Sequence, residues 1–289
     1  MSRKRVTWIS WARTRLVASL SEASRRFPAP DDEDTLHLHD ARKSLKTSAS
    51  VARLFAPIIG PEVYFVIGAV DSARRCVGAA RDLEVMPGVL GGLGASQIAR
   101  DCLMRAIGVE RGRLRSAAPG NGIGRFRDLL AEAADRTQAW DLGEEDLTPL
   151  LASVKATYRA GLKLGRRAFG SEDADDLHDL RGHVIDLFHQ SELFQAAWPP
   201  MFSAELAELH RLRTALGDHN DLTMLGEFAL SCQEAAHEIA AEIVDCVLAK
   251  RGPIERRARE QFERLYAERP GAFMRRMGAY LAHPRKHAS

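Results

Sequence analysis

Leu38–Lys46 reads LHDARKSLK, and Leu177–Arg181 reads LHDLR. His39 and His178 are 139 positions apart, and the same offset relates a series of identical residues. Glu33/Glu172, Asp34/Asp173, Leu38/Leu177, Asp40/Asp179 and Arg42/Arg181 all match. So do Leu54/Leu193, Phe55/Phe194, Pro61/Pro200, Arg74/Arg213, Gly78/Gly217, Asp82/Asp221 and Leu83/Leu222. An offset that stays constant from Glu33 to Leu83 without a gap marks an internal repeat, two copies deep and longer than a solenoid unit. A looser echo precedes each copy, SRRF at 24–27 and GRRAF at 165–169. The expected organisation is a single domain over 1–289, built of a first helical repeat at 6–142 and a second at 145–283.

Apolar residues make up 45% and charged residues 28% of the 289 positions, as in ordinary globular chains with material for a sizeable core. Aromatics are only 7%, β-branched runs are scarce, and no segment alternates as a strand should. The predicted class is all-α. Acidic stretches, PAPDDEDT at 28–35 and GSEDADD at 170–176, precede the two His helices, where acids cap free N–H groups and oppose the positive helix end. Pro57 and Pro61, then Pro199 and Pro200, mark the turns that follow. Helical patterning resumes over 62–77, 95–117, 124–140 and 145–168, then over 203–216, 221–250, 254–268 and 271–282. GVLGGLGAS (88–96) and APGNGIG (118–124) carry no GK[ST] signature and follow no strand, so they read as connectors rather than phosphate loops.

The net charge is only +2, so affinity for a polyanion has to come from how the 41 Lys and Arg are arranged. Cys76, Cys102, Cys232 and Cys246 are dispersed with no CxxC pair, which points to a reducing, cytoplasmic setting rather than a disulfide framework or a zinc site. The basic start is interrupted by Arg13 and Arg15, and no unbroken apolar run approaches the roughly 18 residues of a membrane span. No signal peptide and no membrane association are expected.

On a helix, His39, Arg42, Lys43, Lys46 and Arg53 share an arc of roughly 100°. The adjacent arc carries Leu38, Ala41, Leu45, Ala49 and Ala52, a small-residue seam for close packing. A second basic stripe, Lys155, Arg159, Lys163 and Arg166, follows the same spacing. Arg74 and Arg75, and Arg211 and Arg213, add cations on the next helix of each half. Cations three or four apart repel one another, so such stripes call for an anionic partner or anionic helix neighbours.

The repeated His-x-x-Arg helix, the stripes, and the RDLEVM and NDLTML segments together resemble the CHAD family, the conserved histidine α-helical domain, from about Val6 to about His283. The ending IERRAREQFERLYAERPGAFMRRMGAYL is similar to that family's terminal helices. The resemblance implies two pseudo-symmetric helical-bundle halves around a basic channel that binds inorganic polyphosphate without chemistry, often at polyphosphate granules. Carried onto this chain, it implies ligand roles for His39, Arg42, Lys43, Lys46, Arg53, Arg74 and Arg81, for Lys155, Arg159 and Lys163, and for His178, Arg181, Arg211 and Arg213. It implies no cofactor, no metal and no catalytic residue, with phosphate or sulfate as mimics of the ligand. One departure stands out: Lys43, Lys46 and Arg53 correspond to Gly182, Ile185 and Glu192, which depletes the second wall. His183 and His189 supply partial charge there only below neutral pH.

Arg forks and Lys point charges suit phosphate oxygens, and acids aimed at the same groove are not expected because they would repel the ligand. The alternative is a metal-dependent phosphohydrolase on the two His-Asp pairs, with Asp218–Asp221 (DHND) as the best source of further ligands. His37 is no help, lying about 200° from His39 around a helix, and Arg42 and Arg181 one turn away oppose a divalent cation. A nucleic-acid binder would interleave aromatics with its cations, but Tyr158 alone flanks a stripe.

Overall fold

The computed structural model describes residues 7–27, 35–117, 122–143, 146–170, 174–232 and 236–282. All of their regular structure is helical. In chain order the helices are α1 (Trp8–Arg26), α2 (Thr35–Ala52), α3 (Ala56–Ile59), α4 (Val63–Cys76), α5 (Gly78–Gly91), α6 (Gln97–Ala117) and α7 (Gly122–Gln138). There follow α8 (Thr148–Ala168), α9 (Ala174–Leu193), α10 (Pro199–Ser231), α11 (His237–Leu265) and α12 (Pro270–Leu281). The acidic stretches expected to cap α2 and α9 lie mostly outside the described residues.

Two apolar clusters organise these helices. The larger gathers Leu16 and Leu20 of α1, Leu45 of α2, Val66 and Val70 of α4, Leu130 of α7, Tyr158 of α8, Val184 of α9, Phe202 and Leu209 of α10, and Phe273 of α12. Within α2 the buried side is Ala41, Leu45, Ala49 and Ala52, the seam anticipated from spacing. The smaller cluster joins Leu83 and Leu90 of α5, Leu103 and Ile107 of α6, Leu222 and Leu225 of α10, and Ile243 and Val247 of α11. Helix α10 serves both clusters, and Ile254 of α11 packs against both. Helix α1 packs on α2 and α7, while α8 packs on α9 and α12; α2 meets α9, and α5 meets α10.

Several expected boundaries are corrected. GVLGGLGAS was expected to be a connector, but α5 runs from Gly78 through RDLEVM and Pro87 into that glycine cluster as far as Gly91. Leu83, Met86 and Leu90 bury one face of it, and that burial outweighs the weak helix propensity of Gly and Pro. Helix α10 is continuous where two helices were expected, and so is α11, despite Pro253. In α11, Ile243 and Val247 on one side of the proline and Ala258 and Phe262 on the other are all buried, which holds the helix together across one lost hydrogen bond. Pro199 and Pro200 start α10 rather than forming a turn. Asp40–Cys76 also contains a stretch apolar enough, by length and composition, to cross a membrane, contrary to expectation. The fold breaks it at Gly60, where φ is 68°, and buries Leu54, Phe55, Val63, Val66 and Val70 in the core.

A contact unseen in the sequence fixes α8. Tyr158 stacks on Phe273 (ring centroids 4.1 Å) and on Tyr266 (4.9 Å), and Tyr266 stacks on Phe262 (4.8 Å). Gly161 and Gly165 let α11 approach this closely. A Cβ at Gly165 would fall 2.1 Å from the Phe262 ring. Gly165→Ala is therefore expected to cost about 1–3 kcal/mol by overpacking, despite its better helix propensity. Gly112→Ala on α6, where a Cβ meets nothing within 4 Å, is expected to gain about 0.5–1 kcal/mol. Paired urea denaturation curves check both, and equal stability of the two variants would contradict the close approach.

Candidate functional site

Helices α2, α4, α8 and α9 line an open cleft of about 440 Å³. Lys46, Arg53 and Arg74 line it with Asp179, His183 and Asp186, over a floor of Ala49, Ala156, Ala160 and Gly182. The cleft sits beside the joint between the two cores, where further guanidinium groups from α2, α5 and α9 converge. Arg42, Lys46, Arg74, Arg81 and Arg181 are near enough to act on one another electrostatically.

Each cation is accommodated differently. Arg81 donates two hydrogen bonds to the Asp221 carboxylate, 2.8 and 3.1 Å, and one to Asp82, 3.3 Å. Burial opposes its charge, but these carboxylates outweigh burial and raise its pKa. Arg53 donates to Asp186 Oδ1 at 2.8 Å, and Ser50 donates to the same oxygen at 2.7 Å. Among the described residues Arg74 makes only a long 3.4 Å contact with Asp71.

Arg42 and Arg181 occupy matching positions at the offset of 139, and their surroundings differ for a backbone reason. Arg42 Nη1 donates to the carbonyl of Val77 at 3.0 Å. That oxygen sits at the break between α4 and α5, where its backbone bond from the Arg81 N–H is a long 3.4 Å. The matching residue, Leu216, lies inside unbroken α10, where carbonyls serve the helix itself. Arg181 instead lies against Gly217, and its buried Nε has no hydrogen-bond partner among the described residues. Burial first, then repulsion from Arg81, Arg213 and Arg74, lowers the Arg181 pKa against the pull of Asp221. A guanidinium stays charged regardless, so the cost remains stored in the site.

Lys46 can shed its charge. Burial, then Arg181, Arg42, Arg81 and Arg74 in that order, pushes its pKa down to about 7. It forms no ion pair among the described residues.

The other predicted residues fall into three groups. Lys155, Arg159 and Lys163 are exposed on α8. Lys163 lies within about 60° of the cleft-lining Ala160, and Lys155 is turned further away. Lys43 lies near Glu192, whose carboxyl is held below its usual range chiefly by a hydrogen bond with His189, with help from Arg15 and Lys43. Arg213 stacks on Phe188, its guanidinium carbon 4.3 Å from the ring centroid. Arg211 pairs with Glu208 on the exposed side of α10 and takes no part in the cationic coupling. His178 is exposed beside Asn220, and the His39 side chain lies outside the described residues.

Acids do share the cleft, which corrects the expectation that none would. Asp179 and Asp186 line the cleft, Asp186 holding Arg53, while Asp82 and Asp221 hold Arg81. Charge-pair logic could have flagged Asp82 and Asp221 from the repeat, but Asp186, 133 positions from Arg53, leaves no local signal. The DHND segment turns its side chains to different neighbours. Asp221 meets Arg81, Asn220 meets His178, and buried His219 lies 2.8 Å from Glu255 and accepts from Arg251 at 3.0 Å. Among the described residues no group of three His, Cys, Asp or Glu is placed to hold a metal ion.

The fold and site define an all-helical protein with an open cleft lined by Lys46, Arg53 and Arg74 together with Asp179 and Asp186. A family model for the CHAD domain matches residues 10–230, so the chain belongs to the CHAD family. No curated protein matches the chain.

Because the folded state depresses the Lys46 pKa below that of the unfolded chain, the unfolded state holds more protons between pH 7 and the ordinary lysine range near ~10.4. Charged Lys46 thus destabilises the fold fully below pH 7, and the penalty fades as pH rises toward that value. Lys46→Met is expected to raise the melting temperature at pH 6.5, by about 2–4 °C per kcal/mol relieved. The gain should shrink by pH 9, as followed by circular dichroism, and a pH-independent difference would contradict the repulsion.

Proposed function

We propose that this protein binds inorganic polyphosphate without transforming it, in a basic channel between two pseudo-symmetric halves. The observation that carries this reading is the convergence of Arg42, Lys46, Arg74, Arg81 and Arg181 from four separate helices. Like charges gathered by a rigid scaffold are relieved by an anion that bridges them, and a flexible chain of phosphates supplies several charges at once. Membership of the CHAD family supports the same ligand. The duplicated organisation, with repeats over 6–142 and 145–283 in one domain, is supported by helix starts that keep the sequence offset. Helix α9 begins 139 residues after α2, and α8 begins 140 residues after α1.

In this reading the polymer follows the first wall of Arg42, Lys46, Arg53 and Arg74, and Lys163 and Arg159 of α8 extend its path. The second wall contributes Arg181 and, beside it, Arg213. Gly182 and Ile185 leave room opposite Lys46 rather than adding charge. Ile185 is only 7% exposed, so a lysine there would place its charge at the edge of the core. Residence at polyphosphate granules in the cytoplasm belongs to the same proposal. The phosphohydrolase alternative gains no support from the carboxylates it would need, since Arg26 binds Asp40 and Arg81 binds Asp221.

Titration with long-chain polyphosphate, triphosphate, orthophosphate, ATP and DNA at two salt concentrations tests the reading. Long polyphosphate is expected to bind best, with a log–log salt slope near about −0.7 per neutralised charge. Arg42→Ala with Arg74→Ala is expected to weaken binding at least about tenfold and flatten that slope by about 1–2. Preference for DNA, or orthophosphate release stimulated by Mg²⁺ or Mn²⁺, would overturn the proposal.

A further inference from the structure

We propose that Lys46 makes ligand capture proton-linked: the amine takes up a proton from solvent as the polyanion enters, so binding tightens as pH falls toward neutrality. The inference rests on the polyphosphate reading above and deepens it.

The geometry comes first. Lys46 projects from α2 into a cleft whose other cations are arginines, which no physiological pH neutralises. Arg42 faces it from its own helix, Arg74 from α4, Arg81 from α5 and Arg181 from α9. Of the acids nearby, Asp186 is held by Arg53 and Ser50, Asp82 and Asp221 by Arg81, and Asp179 lines the same cleft from α9 beside His183. Helix α8 offers the cleft only Ala156, Thr157 and Ala160. One group in this cluster can therefore relieve the crowding by giving up a proton, and that group is Lys46. Its lowered pKa agrees with this placement.

A bound chain of phosphates reverses the balance. Its oxygens offset the arginine charges and offer the ammonium direct acceptors, so the Lys46 pKa returns toward the ordinary lysine range. Above neutral pH the empty site holds an amine and the filled site an ammonium, with one proton drawn from bulk solvent. Linkage then fixes the outcome: affinity falls by up to about tenfold per pH unit between pH 7 and 9. His183 lines the same cleft in wild type and in the Lys46 variants, so any proton it takes up is common to both and cancels in their comparison.

Isothermal titration of the full chain with linear polyphosphate, at pH 7, 8 and 9 in buffers of different ionisation enthalpy, reads both affinity and proton uptake. The wild type is expected to take up close to one proton per bound protein at pH 8. Lys46→Arg keeps the charge but cannot release it at these pH values. It is expected to bind at pH 9 far more tightly than wild type, with a flat profile and no uptake. Protonation of the polymer's own chain ends is common to both proteins and cancels in the comparison. Should Lys46→Arg fail to fold by circular dichroism, Lys46→Met is expected to give a flat profile at lower affinity. A wild type that binds without uptake or pH dependence would overturn the proton linkage and leave the polyphosphate reading intact. The same slope in wild type and both variants would also overturn it. Absence of binding at every pH would overturn the polyphosphate reading itself, and this inference with it.

Discussion

Repulsion among cations that cannot move apart is the constraint on which the rest of the site depends. Arg42, Lys46, Arg74, Arg81 and Arg181 rise from helices whose opposite faces are locked into apolar clusters, so the backbone cannot splay to separate them. Each remaining remedy is visible. Carboxylates grip Arg81 and Arg53, the carbonyl at the α4–α5 break receives Arg42, and Lys46 sits poised to lose its charge. Arg181 has only the pull of Asp221. Its buried Nε has no hydrogen-bond partner among the described residues, where α10 runs unbroken past the position at which α4 and α5 part. Two residues alike in sequence thus differ in satisfaction through a backbone break 35 residues from one and absent near the other.

Much of this was legible in the sequence, and the limits have physical causes. The buried and basic faces of α2 follow from period alone, because 3.6 residues per turn fixes which positions share a side. The helical class follows from composition. The boundaries of α5, α10 and α11 did not, since glycine and proline are local signals and burial of an apolar face overrode them. Asp186 beneath Arg53 and Tyr266 against Gly161 are also absent from any local pattern. They arise from helix pairings far apart in the chain, which spacing rules do not reach.

The site lies where the apolar clusters leave off. Along α10, Leu216 ends the contribution to one cluster and Leu222 begins the contribution to the other. The five residues between, Gly217–Asp221, supply the surface for Arg181 and the carboxylate for Arg81. Polar side chains there do not interrupt a core. They occupy a seam between two, where ion pairs and hydrogen bonds form without dismantling apolar packing.

Helix α10 has a bearing on how the molecule comes apart. A rod of 33 residues is about 50 Å long, and each of its halves is held by a different cluster. Melting either cluster strips one half of the rod of its packing, and an unsupported helix of that length is marginal in water. Continuity of backbone hydrogen bonding through Gly217–Asp221 is therefore one energetic link between the clusters, beside α11, which puts Ile243 and Val247 in one and Ala258 and Phe262 in the other. That couples the opening of one cluster to the opening of the other and makes the amides at this seam exchange with solvent on the timescale of global unfolding.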